Sequence, residues 1–123
     1  MKYVTFVRHS ESFRQSPPPP ALMEAMDKFM ESLRKDGIVV DAVGLLPSKD
    51  GVRMRLANGK ITVTDGPFSE SKEVIGGYAV LNLNSKEEAV RIETEFMELH
   101  RKYWPAFECE VEVRPLLSPG ECP

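Results

Sequence analysis

Two stretches of the chain carry apolar residues at the three- and four-residue spacing of an amphipathic helix. In residues 21–36 the apolar positions fall on one face, and Gly37 follows as a helix stop. In the second stretch, Ser85 and Glu88 form a capping box and an apolar stripe continues to Tyr103. The sequence therefore predicts two helices that each turn one face toward a core.

Four other segments carry the β-branched, aromatic or alternating residues that are typical of strands. They are residues 2–8, 38–43, 78–83 and 110–114. The segment at 38–43 is apolar at almost every position, which predicts a strand buried on both faces. Asp41 is the one carboxylate within it, so we expect a buried carboxyl group of the kind that suits general acid or base work.

A β-hairpin is the clearest local feature of the chain. Residues 52–56 and 61–64 alternate apolar and polar positions, and Asn58 and Gly59 between them favour a type I′ turn. Residues 65–73 open with Asp-Gly-Pro, which cannot continue a regular ladder. We expect a shaped loop there.

The order of the elements is strand, helix, strand, hairpin, strand, helix, strand. This is the split βαβ pattern of a ferredoxin-like α+β fold with a β-hairpin inserted after the second core strand. Gly76 and Gly77 favour a bulge or a close backbone approach at the third core strand. Helices would cover one sheet face only, so we expect a homodimer whose sheets pack face to face. A pocket between them would be closed by residues 65–73.

Composition and charge narrow the class of protein. The chain has 123 residues, 41% of them hydrophobic, and a net charge of −3, which fits one globular domain with a frayed tail at 116–123. The mildly acidic balance argues against a nucleic-acid module. Without a membrane-length apolar run or a signal-peptide pattern, we expect a cytoplasmic protein. Cys109 and Cys122 lack metal-like spacing, so we expect neither a zinc site nor a disulfide framework.

The longest motif begins at Asp65. Residues 65–78 read DGPFSESKEVIGGY and closely resemble DGPFAETKEVIGGY, the phrase typical of the DGPF family within the YCII-related group. The resemblance extends to MKY at 1–3, to GIVVDAVGLLPS at 37–48 and to VEVRP at 111–115, so it spans nearly the whole chain. It implies a dimeric α+β barrel made of ferredoxin-like subunits, without a settled reaction.

The resemblance also suggests a kind of chemistry. In the YCII-related group a histidine on the first helix and a nearby aspartate resemble the acid/base pair of a lyase-type site. Residues 21–36 contain no histidine here, and Asp41 is the strongest remaining carboxylate, with His9 or Tyr78 as its partner in proton transfer. We expect a small-molecule pocket that works without a cofactor or metal. A purely structural hydrogen bond from Asp41 is the competing interpretation.

Further candidates for ligand contacts lie near these residues. Tyr78 offers a hydroxyl donor, and Arg8 beside His9 forms either an anion-binding pair or an ordinary exposed loop pair. Glu70 and Lys72 form either a charged lip over the pocket or solvated loop charges. Asp65 precedes Gly-Pro, where capping the turn is favoured over a ligand contact.

Two other classes of function stay open. Members of the resembled family often occur near regulators of the extracytoplasmic sigma type, which suggests a ligand sensor or a protein-interaction module with a regulator as partner. The phrase FVRHSES at 6–12 also resembles the RHG-E-S phrase of histidine phosphatases, in which His9 would take the phosphoryl group. Ser10 replaces the glycine of that phrase, and we expect His100 on a charged helix face.

Overall fold

The computed structural model describes residues 1–14, 17–68 and 73–120, and its elements follow the predicted order. Short 3-10 helices at Glu11–Arg14 and Ser48–Asp50 are additional to that prediction. None of the described helices is long and apolar enough to cross a membrane. The strands are β1 (Lys2–His9), β2 (Val39–Gly44), β3 (Val52–Ala57), β4 (Lys60–Asp65), β5 (Val74–Asn82) and β6 (Cys109–Pro115), and the helices are α1 (Pro20–Lys35) and α2 (Lys86–Tyr103).

Four strands form the main sheet. Their order is β2-β5-β1-β6, and each neighbouring pair is antiparallel. The hairpin strands β3 and β4 form a separate two-stranded sheet. This arrangement of helices and antiparallel sheets confirms the α+β class predicted from the sequence.

Both helices cover one face of the main sheet, where the hydrophobic core lies. The amphipathic patterns of α1 and α2 direct their apolar stripes at that face, because burying apolar surface is the main favourable term in folding. Gly37, with φ of +73°, ends α1 as predicted. The Ser85 hydroxyl accepts the Glu88 backbone N–H at 3.2 Å, which is the N-cap half of the predicted capping box. The core residues include Tyr3, Leu33, Leu81, Ala89 and Ile92.

The other side of the main sheet, which we call the open face, faces away from the helices. Phe6 pairs with Tyr78 on β5 and with Glu112 on β6, so these three side chains share that side. Asp41 and Arg8 belong to the same side by strand register and alternation. The open face therefore carries a mixture of aromatic and charged groups.

Within a single chain β2 is covered on one face only, and the expected cover of its second face by a partner subunit stays a prediction. Val40, Asp41 and Val43 are all exposed. The apolar run of this strand is covered from the helix side only, because both helices lie there. A strand's own pattern does not say what covers its second face.

The glycine pair in β5 behaves as the sequence predicts. Val7 pairs with Gly77 and Arg8 with Ile75, so Gly76 is the extra residue of a bulge. A Cβ atom on Gly77 would lie 2.8 Å from the backbone oxygen of Val43. Both the bulge and the close backbone approach are therefore confirmed.

The β3–β4 hairpin has one apolar face. Asn58 and Gly59 have φ of 52° and 74°, which confirms the left-handed pair of residues expected in its turn. The five large apolar side chains of one face are between 54% and 72% exposed. We call this surface the apolar hairpin face; its members are Val52, Met54, Leu56, Ile61 and Val63.

Candidate functional site

A cavity of about 670 Å³ lies between the helix-covered face of the main sheet and the two helices. The sequence placed the pocket between the sheets of two subunits, whereas residues of one chain line this cavity. Its wall is mainly apolar because it is an extension of the core. The apolar lining includes Leu22, Met26, Phe29, Ala79, Leu81 and Ile92.

Glu93 supplies a carboxyl group to this apolar cavity. It lies on α2, directly after Ile92 and one turn before Phe96, so it occupies a position within the apolar stripe. Burial raises the pKa of Glu93 above its ordinary value of 4.5, and a hydrogen bond with the Thr5 side chain lowers the pKa by less. The protonated, uncharged carboxyl group is therefore favoured more than at a surface glutamate.

Two histidines line the same cavity. His9 is 5% exposed at the end of β1, and its Nδ1 lies 2.9 Å from the Ser10 carbonyl oxygen. His100 on α2 places Nδ1 2.9 Å from the Phe96 carbonyl oxygen. A carbonyl only accepts, so Nδ1 carries the hydrogen in both rings and Nε2 is the unprotonated nitrogen of the neutral form.

His100 differs from the charged-face position that the sequence predicts. It is half-buried, and burial lowers the pKa of its imidazole below 6.5, while the hydrogen bond to the Phe96 carbonyl raises the pKa by less. The prediction failed because the polar neighbours of His100 along the chain mask its place one turn after Phe96. The neutral ring is the favoured form at this position.

An aromatic cluster centred on Phe107 joins the two histidines. The Phe107 ring stacks on Trp104 at 4.7 Å between centroids and contacts Phe13 edge-on at 5.0 Å. Its centroid lies 5.2 Å from the His100 ring and 5.6 Å from the His9 ring. All five of these residues line the cavity. The sequence prediction missed this cluster because its members come from three separate segments.

Cys109 lies next to this group of residues. It pairs with His9 across β1 and β6. Burial raises the pKa of the Cys109 thiol, and the nearby Glu93 carboxylate raises it further. The thiol is thus held in its protonated form, which is a poor nucleophile.

The predicted acid/base residues do not come together. Asp41 is exposed on the open face of the single chain, so the chain itself does not bury the carboxyl group that the sequence predicts to be buried. The Tyr78 hydroxyl lies 3.5 Å from Asp41 Oδ2, at the limit of a hydrogen bond. His9 projects to the other side of the sheet and into the cavity. Asp41 and Tyr78 are therefore neighbours, and His9 is separated from both by the sheet.

Arg8 and His9 also lie on opposite sides of the sheet, because consecutive side chains of a strand alternate. Arg8 Nη1 lies 2.6 Å from Glu112 Oε1 on the open face. His9 is buried, so the expected exposed loop pair is not what the structure has. Two side chains that diverge in this way do not form one anion-binding pair.

Two residues of the motif that begins at Asp65 pack tightly against Ser48. The Ser48 backbone N–H and hydroxyl each donate to the Glu11 carboxylate at 2.6 Å, and the Phe68 N–H donates to the Ser48 hydroxyl oxygen at 3.0 Å. Gly66 lies against the Ser48 carbonyl so closely that a Cβ atom would be 1.6 Å from its oxygen. We call Glu11, Ser48, Gly66 and Phe68 the clasp.

The clasp borders a second cavity of about 560 Å³, with a mixed polar and apolar lining. Asp65 itself is exposed as the last residue of β4, where it pairs with Val52. Glu70 and Lys72, the predicted charged lip, lie outside the described residues, as does Cys122. In the described part of the chain, no three His, Cys, Asp or Glu side chains are grouped closely enough to hold a metal ion.

Comparisons with known proteins place the chain in a family. A search of curated proteins found no significant match. Among solved structures, the chain is similar to the de novo designed protein Foldit4, with 14% identity and a TM-score of 0.45 over 95% of this chain and 100% of that one. A family model described as the YCII-related domain matches residues 1–96. This match covers most of the chain, which therefore belongs to the YCII-related domain family.

Proposed function

We propose that this YCII-related domain binds a small organic molecule in the cavity and exchanges a proton with it through Glu93. The observation that carries the proposal is a carboxyl group set among apolar side chains at the wall of a ligand-sized space. Groups whose pKa is displaced by burial in a cleft are frequent acid/base catalysts. The proposal moves the acid from Asp41, where the sequence placed it, to α2.

The two histidines provide the complementary half of an acid/base site. Burial favours the protonated form of Glu93 and the unprotonated form of His100, so their pKa values are displaced toward each other. One cavity then holds a carboxyl group that burial favours as a proton donor and an imidazole that burial favours as a proton acceptor. His9 keeps the acid/base role that the sequence predicted, with Glu93 in place of Asp41.

Elimination of nitrobenzisoxazole tests for a general base in an apolar cavity. The base takes the ring C–H proton next to nitrogen, the C–H electron pair completes a nitrile, and the N–O bond breaks to release a coloured phenolate. We expect Glu93→Gln to lower kcat/KM about 100-fold or more. In the wild-type protein, activity should rise with an ionisation above pH 4.5, because the carboxylate is the reacting form.

Glu95→Gln is the matched control, since Glu95 is an exposed glutamate on the same helix. It should leave the rate unchanged. Equal rates in the wild-type protein and Glu93→Gln would contradict the proposal. Binding of the probe without any Glu93-dependent turnover would favour the ligand-sensor class instead.

We further propose that the chain is a ferredoxin-like subunit of the DGPF branch of its family. The antiparallel order β2-β5-β1-β6, with both helices on one side and one hairpin inserted, supports the ferredoxin-like description. The close fit of Gly66 and Phe68 in the clasp gives the DGPF phrase a structural purpose. A cytoplasmic location stays a prediction from the sequence.

We also propose a homodimer in which a second copy covers the apolar hairpin face. Monomers seldom expose a contiguous apolar patch of more than a few hundred Å². The five side chains of this face each offer on the order of 100 Å² of apolar surface for burial. A twofold contact that packs the two patches against each other buries about 1,000 Å² in total, which is near the lower limit of a specific interface.

Light scattering after size exclusion tests this dimer. Leu56 and Ile61 are a cross-strand pair on the apolar hairpin face, and we expect the double variant Leu56→Asn, Ile61→Asn to elute as a monomer. The control is Thr62→Asn, Thr64→Asn on the other hairpin face, which should stay dimeric. A monomeric wild-type protein at micromolar concentration would contradict the proposal.

A further inference from the structure

The cavity has the dimensions and lining of a site for one organic molecule. Its volume of about 670 Å³ lies within the roughly 300–1,000 Å³ of small-molecule pockets. Most of the residues in its wall have apolar side chains, aliphatic and aromatic, which offer a ligand few hydrogen bonds. Moving a charged group from water into such surroundings is strongly unfavourable unless a partner compensates for it.

One end of the cavity is aromatic. Trp104 and Phe107 are stacked with 18° between their ring planes, and Phe13 meets Phe107 edge-on. Phe96 extends this surface through its contact with His100 at 4.4 Å between centroids. A flat ring gains both apolar burial and favourable ring contacts against such a cluster.

The polar groups of the cavity favour neither sign of charge. Burial raises the pKa of Glu93 and lowers the pKa of His100, so the same cavity penalises a negative and a positive group. Arg34 is the cation that also borders this space, and it is exposed on the last turn of α1. A ligand anion could approach Arg34 only near solvent, where the attraction is weak.

Glu93 sets the polar requirement for the ligand. Burial at the wall of the apolar cavity favours the protonated form of the Glu93 carboxyl group, which has an O–H to donate. A buried donor without an acceptor costs free energy, so a ligand that supplies an acceptor is favoured over one that does not.

We infer that the ligand of this cavity is an uncharged, flat aromatic molecule with a hydrogen-bond acceptor, such as a carbonyl oxygen, on the part that reaches Glu93. The ring lies against the cluster of Trp104 and Phe107, and the acceptor takes the Glu93 O–H. This inference rests on the proposed function for the location of the site and adds the class of molecule that the site selects.

Four matched naphthalene derivatives test each part of the inference by calorimetry on the wild-type protein. They are acetylnaphthalene, ethylnaphthalene, naphthoate and naphthylmethylammonium, which are a neutral acceptor, a neutral hydrocarbon, an anion and a cation of similar size. We expect the ketone to bind about tenfold more tightly than the hydrocarbon, because a hydrogen bond to a carboxyl group contributes about that factor. Both ions should bind more weakly than the ketone.

Substitutions test whether the naphthalene probes bind in the cavity. Glu93→Leu should abolish the tenfold preference for the ketone and leave ethylnaphthalene bound. Met26→Trp places a larger side chain in the cavity and should abolish binding of both neutral probes, whereas Met97→Trp on the exposed side of α2 should not. Circular dichroism establishes that each variant is folded. In the wild-type protein, emission from Trp104, the only tryptophan of the chain, should change on binding.

The outcomes separate this inference from the proposed function. Tighter binding of either ion, or no saturable binding of any probe, would overturn the ligand class even if elimination of nitrobenzisoxazole depended on Glu93. Ketone-selective binding without Glu93-dependent elimination would retain the ligand class and remove the proton transfer. Ketone preference that survives Glu93→Leu would also overturn the inference, because the acceptor would then have another partner.

Discussion

The clasp and the cavity differ in how their residues are distributed along the sequence. Two of the four clasp residues, Gly66 and Phe68, lie close together in the longest motif, and both must fit against Ser48. The cavity takes Thr5 from β1 and Glu93 from α2, with no motif around either. A tight backbone packing site constrains several neighbouring positions at once, whereas a cavity takes one side chain from each element. The described part of the longest motif therefore includes a packing site.

The largest stability effect should come from the clasp. We expect Gly66→Ala to lower the free energy of unfolding by about 3 kcal/mol, because its Cβ atom would lie 1.6 Å from the Ser48 carbonyl oxygen and the backbone would have to move. Denaturant unfolding measures this change. Gly44→Ala, with no atom within 4 Å of the added Cβ, is the control and should change stability by less than about 1 kcal/mol. Equal stability of the two variants would contradict the conclusion that the clasp is a tightly packed site.

The burial of Glu93 in the cavity should change how the stability of the protein depends on pH. Burial raises the pKa of Glu93, so the folded chain holds this proton more tightly than the unfolded chain, whose value is near 4.5. The wild-type protein then loses stability as the pH rises from 4.5 through the raised value, and Glu93→Gln does not. The variant should gain melting temperature relative to the wild-type protein across that window.

Glu95→Gln, which removes an exposed glutamate of the same helix, is the control and should not gain melting temperature relative to the wild-type protein across that window. His100 acts in the opposite direction, because its lowered pKa removes stability as the pH falls below 6.5. All three proteins keep His100, so its contribution cancels. If the difference in melting temperature between Glu93→Gln and the wild-type protein did not change with pH, the conclusion that Glu93 is buried would be contradicted.

The smallest effect should come from the open face. Asp41→Asn should change the free energy of unfolding by less than about 0.5 kcal/mol, because the side chain is exposed and its contact with Tyr78 is long. The rate of nitrobenzisoxazole elimination should be unaffected. A loss of rate as large as that expected for Glu93→Gln would indicate that Asp41 on the open face is the acid/base residue, and this would contradict the proposal for Glu93.

The sequence predicted what local rules determine. Gly37 ends α1 because it adopts positive φ, Asn58 and Gly59 form the hairpin turn, and the Gly76–Gly77 pair forms the bulge. Each of these features depends mainly on the conformational preferences of one or two neighbouring residues. The α+β class followed from the order of such elements.

The site required long-range information that the sequence pattern did not supply. The pattern of β2 shows two apolar faces and does not say which one the helices cover, so Asp41 was assigned to the interior. Glu93 did leave a signal, because it follows Ala89 by four residues within the apolar stripe of α2. A charged residue at such a position is buried or at the edge of the core, so the apolar stripe of α2 itself indicates Glu93 as a candidate site residue.

The spacing along α2 has a consequence for any proton movement. Glu93 and His100 are seven residues apart, so they lie on the same side of the helix and about 10 Å from each other along its axis. Two groups at that distance cannot pass a proton directly, as the members of a hydrogen-bonded dyad do. Under the proposed function, a proton would therefore leave one end of a bound molecule and another would arrive at its far end, because the helix holds the two groups apart.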